Sequence, residues 1–468
     1  MIHIDPKLTP ASLKAPLARF FKVSGEKILL LDRVWDPAQG TPVFTVKGRY
    51  TARGWTEWTQ GFLYGNAILQ FEGTGDRRFL EMGRQNTVRR MAPHVSHTGV
   101  HDHGFNNVST YGNLLRLMKE KRLPANPWEK AFYEMALKAS SAVQAARFTE
   151  LPGGLGYIRS FNGPHSLFAD TIRSLRVLAL GHRLGHVLMG ERDRKINLLA
   201  RLLQHAETTA RFNVYFGKGR DAYDVRGRVA HESIFNVEDG AYRCPSTQQG
   251  YTPFSTWTRG LAWILLGYAE EIEFIKTVPE AEILAALAAS PKPLFRSKKE
   301  VVARFEAAAR AVADFTLEQT PVCGVPYWDT GAPNLHKLGA YLSRPADPFN
   351  EHEPVDSSAA AISAQGLLRL GRHLMKSGDP KAGARYFGAG LTTARTLLGE
   401  PYLSIAKDHQ GMLLHSVYHR PNGWDWIPPG QKVPCGESSL WGDYHAMELA
   451  VYLKRLSEGK PEPFFYNI

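Results

Sequence analysis

The chain has 468 residues, 43% of them apolar and 22% charged, and a formal net charge of +12. This is the composition of a globular protein with a large core, and the three distant cysteines, Cys244, Cys323 and Cys435, exclude a disulfide framework or a cysteine-rich zinc site. The positive field favours an anionic partner, but the basic residues are dispersed and carry no nucleic-acid-binding signature, so an acidic small substrate is expected and nucleic acid is not.

Residues 1–50 read as an N-terminal extension packing on the rest of the fold. Their opening, MIHIDPKLTPASLKAPLARFFKV, lacks the apolar core of a signal peptide, and no run in the chain approaches the roughly twenty apolar residues of a membrane span. A cytoplasmic protein without a membrane partner is expected. Apolar spacing then predicts helices over 57–73, 77–92, 104–121, 127–147, 167–189 and 193–210. After a Gly-rich loop with short strands at 212–251, it predicts helices over 257–275, 280–289 (short) and 299–318. A second such loop covers 321–354. Helices over 357–375, 380–398 and 440–456 complete the series.

A Gly-acid turn recurs as Gly75-Asp76-Arg77, Gly190-Glu191-Arg192 and Gly378-Asp379-Pro380. In each, Gly can end one helix in the left-handed conformation, and the acid meets the positive end of the next. These are degenerate copies of a helical hairpin, and six hairpins can close into a ring with a pocket at one end. The expected fold is all-α, with 51–468 as one domain and a surface insertion near 281–300.

Flat aromatics in loops and at helix starts suit sugar rings. Trp55, Trp58, Phe161, Trp257, Trp263, Tyr327, Trp328, Trp424 and Trp426 are so placed. Asp102, in His101-Asp102-His103, and Asp170 each stand at a helix start. Glycosidic hydrolysis needs such a carboxyl pair, although an acid at that position is also a helix cap, and Asp170 could instead pair with Arg173 one turn on. His101 and His103 have no third ligand in view, so no metal is expected. Arg259, flanked by Trp257 and Trp263, is suited to clamp a carboxylate through two parallel hydrogen bonds. His231, Gln249 and Ser358 lie in or beside loops. Asp356 reads first as the N-cap of the Ala-rich helix that follows it.

The stretches WTQGF (58–62), TGDRRFLEMG (74–83), HDHGF (101–105), GYIRSF (156–161) and FADTIRSLRVLAL (168–180) resemble glycoside hydrolase family 88, the unsaturated glucuronyl hydrolases. So do QGYTPFSTWTRGLAW (249–263), VPYWD (325–329), DSSAAAISAQGLLRL (356–370) and LWGDYHAMELAVYL (440–453). The resemblance implies an (α/α)6 barrel and a cofactor-free enzyme that hydrates the double bond of a 4,5-unsaturated uronate at the non-reducing end of an acidic oligosaccharide. By the same resemblance Asp170 is the proton donor and Asp102 supports the transition state. Trp58, His101, Phe161, His231, Gln249, Arg259, Trp263 and Ser358 line the pocket. The acid should be protonated when it acts; burial would raise the pKa of Asp170 and the helix dipole would lower it. Thr171, Ile172, Arg173 and Ser174 depart from the family pattern, as does Phe161, which stands where a stacking Trp is usual. An unsaturated rhamnogalacturonyl hydrolase, a glycan-binding barrel without catalysis, or a barrel lyase using Tyr251 and His231 are the alternatives, and a monomer or homodimer is expected.

Overall fold

Twelve helical segments form two concentric rings among the described residues. The computed structural model describes residues 1–53, 57–288 and 292–468, so Trp55 and part of the expected insertion lie outside the described residues. The first half comprises α1 (Lys14–Val34), α2 (Gln60–Thr74), α3 (Arg77–Arg90), α4, α5 (Pro127–Ala146), α6 and α7 (Leu198–Phe212). Of these, α4 runs His103–Asn107, a π-helical turn Val108–Gly112, then Asn113–Lys119, and α6 is the pair Thr171–Ser174 and Arg176–Arg183. The second half comprises α8 (Thr258–Thr277), α9 (Lys298–Gln319), α10 (Ser357–Ser377), α11 (Pro380–Leu397) and α12 (Leu440–Ser457).

The even-numbered helices close a ring. In it α2 packs on α4, α4 on α6, α6 on α8, α8 on α10, α10 on α12, and α12 returns to α2. The odd-numbered helices stand outside, α1 against α2 and α12, α3 against α2, α5 and α7 against α6, α9 against α8, and α11 against α10. Inner helices are buried nearly all round, as α8 is from Thr258 to Ile272, whereas an outer helix such as α3 buries only Phe79, Leu80, Gly83 and Thr87. The expected (α/α)6 barrel is therefore present.

Residues 1–50 hold a helix the expectation omits. In α1, Leu17, Phe20, Phe21, Ile28 and Leu31 form a buried stripe, and a Cβ on Gly25 would lie 2.8 Å from Gln70 Nε2, so α1 and α2 approach closely. The short helix expected at 280–289 exists as Glu280–Ala288 but stands outside the two rings, between α8 and α9.

Two of the three turns form as read. Gly75 (φ 79°) and Gly378 (φ 105°) are left-handed C-caps, and Asp76 and Asp379 cap α3 and α11. The third does not. Around Gly190 the chain forms a hairpin of β6 (Val187–Met189) and β7 (Lys195–Asn197), so the helix expected over 167–189 is cut short at both ends. Its first residues instead enter β5 (Ser166–Phe168), which pairs antiparallel with β8 (Glu232–Phe235) and through it with β9 (Tyr242–Ser246). Two further hairpins, β1 (Pro42–Val46) with β2 (Arg49–Ala52) and β3 (Phe148–Glu150) with β4 (Gly156–Ile158), join helices at the rim.

Candidate active site

The starts of the inner helices open into a narrow cleft. Trp58 precedes α2, Asp102 precedes α4, Asp170 precedes α6, and Trp257, Arg259 and Trp263 belong to the start of α8; all line this cleft. Helix N-termini carry partial positive charge and unpaired N–H groups, so the cleft is suited to an anion before any side chain is counted.

Asp102 and Asp170 occupy the N-cap positions of their helices, yet neither side chain caps. They turn into the cleft around His101. Asp170 Oδ2 lies 3.0 Å from His101 Nε2, and Asp102 Oδ1 lies 3.8 Å from the same nitrogen. Asp170 Oδ1 has no hydrogen-bond partner among the described residues. Burial pushes Asp102 above the usual carboxylate range, and the charge of Asp170 adds to the rise against the pull of His101. Burial also pushes Asp170 upward, but the hydrogen bond and charge of His101 outweigh it and hold Asp170 low. His101 gains in turn: burial would lower it, but the two carboxylates raise it above its ordinary value. The site thus pushes two neighbouring carboxyls apart, Asp102 upward and Asp170 downward, while His101 is drawn up between them. The upward effect of burial on Asp170 is overridden chiefly by His101, and the Asp170 side chain makes no capping bond to α6.

Arg173 does not pair with Asp170. Its Nε lies 2.9 Å from Glu270 and its Nη2 2.8 Å from Glu448, in a buried cluster on α6, α8 and α12. His103 also turns away, to Ser140 Oγ at 2.8 Å and the His97 carbonyl at 2.8 Å, so the pairing of His101 with His103 is lost. The donor set that does converge is His101, Asp102 and Asp170, with ligand atoms all within 4.8 Å of one another. Two carboxylates and an imidazole suit a divalent cation chemically, but His101 Nε2 is already bonded to Asp170.

Phe161 stacks on the His101 ring at 6.0 Å, and Trp58 stacks on Trp441 at 5.1 Å. Trp263 packs against Phe105 at 4.9 Å. Gln249 lines the cleft and accepts from Arg259 Nη2 at 3.0 Å. His231 stands behind the wall, its ring 4.7 Å from Phe168 and 4.6 Å from Trp257. The β5–β8 pairing brings it there, because Ala169 N–H donates to the His231 carbonyl at 2.8 Å. Burial lowers its pKa to about 4; Nδ1 accepts from Gln248 N–H at 3.1 Å, leaving a neutral Nε2–H without a partner among the described residues.

His231 thus does not line the cleft as expected, and two further expectations fail. Arg259 is no free clamp: Nη1 donates to Asp356 Oδ2 at 2.8 Å and to the Val417 carbonyl, while Nη2 donates to the Tyr418 carbonyl at 2.7 Å and to Gln249. Its terminal donors are used, and the guanidinium lies over Trp257 and Trp441. Ser358 does not line the cleft; it is fully buried, donating to Asp356 Oδ1 at 2.5 Å and accepting from Trp441 Nε1 at 3.1 Å. Asp356 caps α10 as read. Tyr251 is exposed and lines a neighbouring groove with Trp328, outside the cleft where a lyase base would stand.

Tyr418 and His419 line the cleft without having been singled out. The loop holding them is shaped by buried Asp425, which accepts from the Tyr418 and His419 N–H groups, and no local pattern marks it.

No family model matches the chain. It is 27% identical over 419 residues to an unsaturated glucuronyl hydrolase of Bacillus sp. (strain GL1), covering 87% of this chain and 89% of that protein. It is 23% identical over 414 residues to an unsaturated chondroitin disaccharide hydrolase of Streptococcus pyogenes serotype M1, covering 86% and 83%. The crystal structure of an unsaturated glucuronyl hydrolase specific for heparin superposes with a TM-score of 0.70 at 20% identity, over 95% of this chain and 98% of that one. The resemblance carried by the short motifs therefore extends along most of the chain, and the barrel is shared.

Proposed function

We propose that this protein is a hydrolase that releases a 4,5-unsaturated uronic acid from the non-reducing end of lyase-generated oligosaccharides by hydrating the ring double bond. The observation that carries the reading is the His101–Asp170 contact of 3.0 Å inside an aromatic cleft at the helix starts. That pair holds one exchangeable proton. In the proposed route Asp170, refilled from His101 Nε2, delivers it to C4, and positive charge develops at C5 and the ring oxygen. The carboxylates and aromatic faces stabilise that charge. Water adds to C5, its surplus proton returns to the pair, and the hemiketal opens to a C5 ketone and a C1 hemiacetal, which collapses to the aldehyde and expels the remaining sugar as an alcohol. Of the water consumed, the oxygen ends in the C5 ketone, one hydrogen on C4 and the other on the released alcohol, so the balance closes with water alone.

The uronate carboxylate is drawn by the N-termini of α4, α6 and α8. Arg259 acts one step away, by holding Gln249 and the Val417–Tyr418 backbone. The relatives named as acting on unsaturated glucuronyl and chondroitin disaccharides support an acidic oligosaccharide as substrate.

The conjugated double bond absorbs in the ultraviolet and hydration removes it. A panel of lyase-generated disaccharides should lose absorbance with this protein. Rising absorbance from intact polysaccharide would mean a lyase instead and would overturn the proposal.

A further inference from the structure

We infer that Ser174, together with Gln144, is a positioning residue whose hydroxyl clamps the turn carrying His101 and Asp102 onto the helix carrying Asp170, and so sets the His101–Asp170 contact. This rests on the reading of that pair as the proton store.

Ser174 lies one turn after Asp170, at the end of Thr171–Ser174. Its Oγ donates to the His101 carbonyl at 2.5 Å and accepts from Gly104 N–H at 2.9 Å. One hydroxyl therefore grips both ends of the turn on which Asp102 sits. Gln144, from α5, donates through Nε2 to the same His101 carbonyl at 2.8 Å and reaches Ser174 Oγ at 3.3 Å. Turn and helix are in backbone contact, since a Cβ on Gly104 would fall 2.1 Å from the Ser174 carbonyl oxygen.

Ser174 and Gln144 are both fully buried, and Gln144 Oε1 has no partner among the described residues. An unsatisfied buried amide oxygen is costly, and an apolar side chain of similar size would fill the space without it. What the glutamine adds is its donor to His101. Across the turn, the imidazole must stay within hydrogen-bond range of Asp170, a tolerance of a few tenths of an ångström. The charge split at the site depends on that range, because His101 holds Asp170 low.

The test uses the full chain with Ser174→Ala and Gln144→Met. The imidazole titration of His101 is followed by NMR, assigned by its loss in His101→Gln, and kcat and KM are followed against pH on an unsaturated disaccharide. The clamp predicts that the His101 pKa falls by about one unit or more in both variants. It also predicts that kcat falls at least about tenfold with KM within about threefold, and that the pH–rate profile narrows from both sides. A merely structural role would lower the folded fraction and leave the His101 titration and profile shape unchanged, which overturns the inference. If Ser174→Ala does not fold, Gln144→Met decides, since it keeps the Ser174 bonds to His101 and Gly104. If the wild type leaves unsaturated disaccharides intact, the functional reading fails, while the His101 titration still decides the clamp.

Discussion

Replacing Arg259 by Ala separates two roles that a carboxylate-facing arginine can have. Arg259 is 2% exposed, and its guanidinium donates to Asp356, to two backbone carbonyls and to Gln249. Removing it leaves the fully buried Asp356 without its cation, and breaking a buried pair in this way costs about 3–5 kcal/mol. At about 2.1 cal/mol/K per residue, unfolding a chain of 468 residues carries an entropy near 1 kcal/mol/K, so Tm should fall by about 3–5 °C if the barrel melts cooperatively. Differential scanning calorimetry reads this directly. Arg259→Met with Asp356→Asn should recover part of the loss, because the amide still caps α10 through Oδ1 and no bare charge is left buried. An unchanged Tm in Arg259→Ala, with KM alone rising, would refute the reasoning and restore Arg259 as a direct clamp.

Because His101 is held above its ordinary 6.5 and Asp170 below 3.8, kcat/KM should stay high between these values, with the basic limb above pH 6.5 and the acid limb below pH 3.8. His101→Asn should abolish the basic limb. Glu72 shows how buried charge contributes to stability. Burial pushes it up, but the Arg116 guanidinium and its neighbours Arg455 and Arg122 bring it down to about 2 from an ordinary 4.5. A depressed carboxyl stabilises the fold above its unfolded pKa and loses that contribution as pH falls through the folded value. Glu72 is therefore worth about 3 kcal/mol above pH 5, fading towards pH 2. Urea denaturation should show wild type and Glu72→Gln converging in stability over that window, and a gap independent of pH would contradict the assignment. Incubation with a chelator should leave the rate unchanged; loss of activity restored by a divalent cation would make His101, Asp102 and Asp170 a metal site.

The barrel was legible because its long helices carry apolar periods through most of their length. Even α1 shows the spacing of Leu17, Phe20, Phe21 and Ile28, although the sequence of residues 1–50 reads as an extension. The helix expected over 167–189 failed where long-range pairing competes with local propensity: β5 meets β8 some 66 residues away. At the site, the residue types were visible but their orientations were not. An acid at an N-cap position looks the same in sequence whether it caps or turns away, and Asp356 does the first while Asp102 and Asp170 do the second. His101 decides this from 69 residues before Asp170. Arg259 was recognised as a carboxylate partner, but the carboxylate it finds is Asp356, 97 residues on.

The most direct measurement compares wild type with Asp170→Asn on one unsaturated disaccharide, recording ultraviolet absorbance and, separately, binding by calorimetry. The substitution keeps the side-chain shape and removes the group that passes the proton to C4. Loss of absorbance with the wild type, a rate at least about a hundredfold lower in the variant and retained binding are the predicted result. A variant that binds and turns over at the wild-type rate would contradict the central role of Asp170.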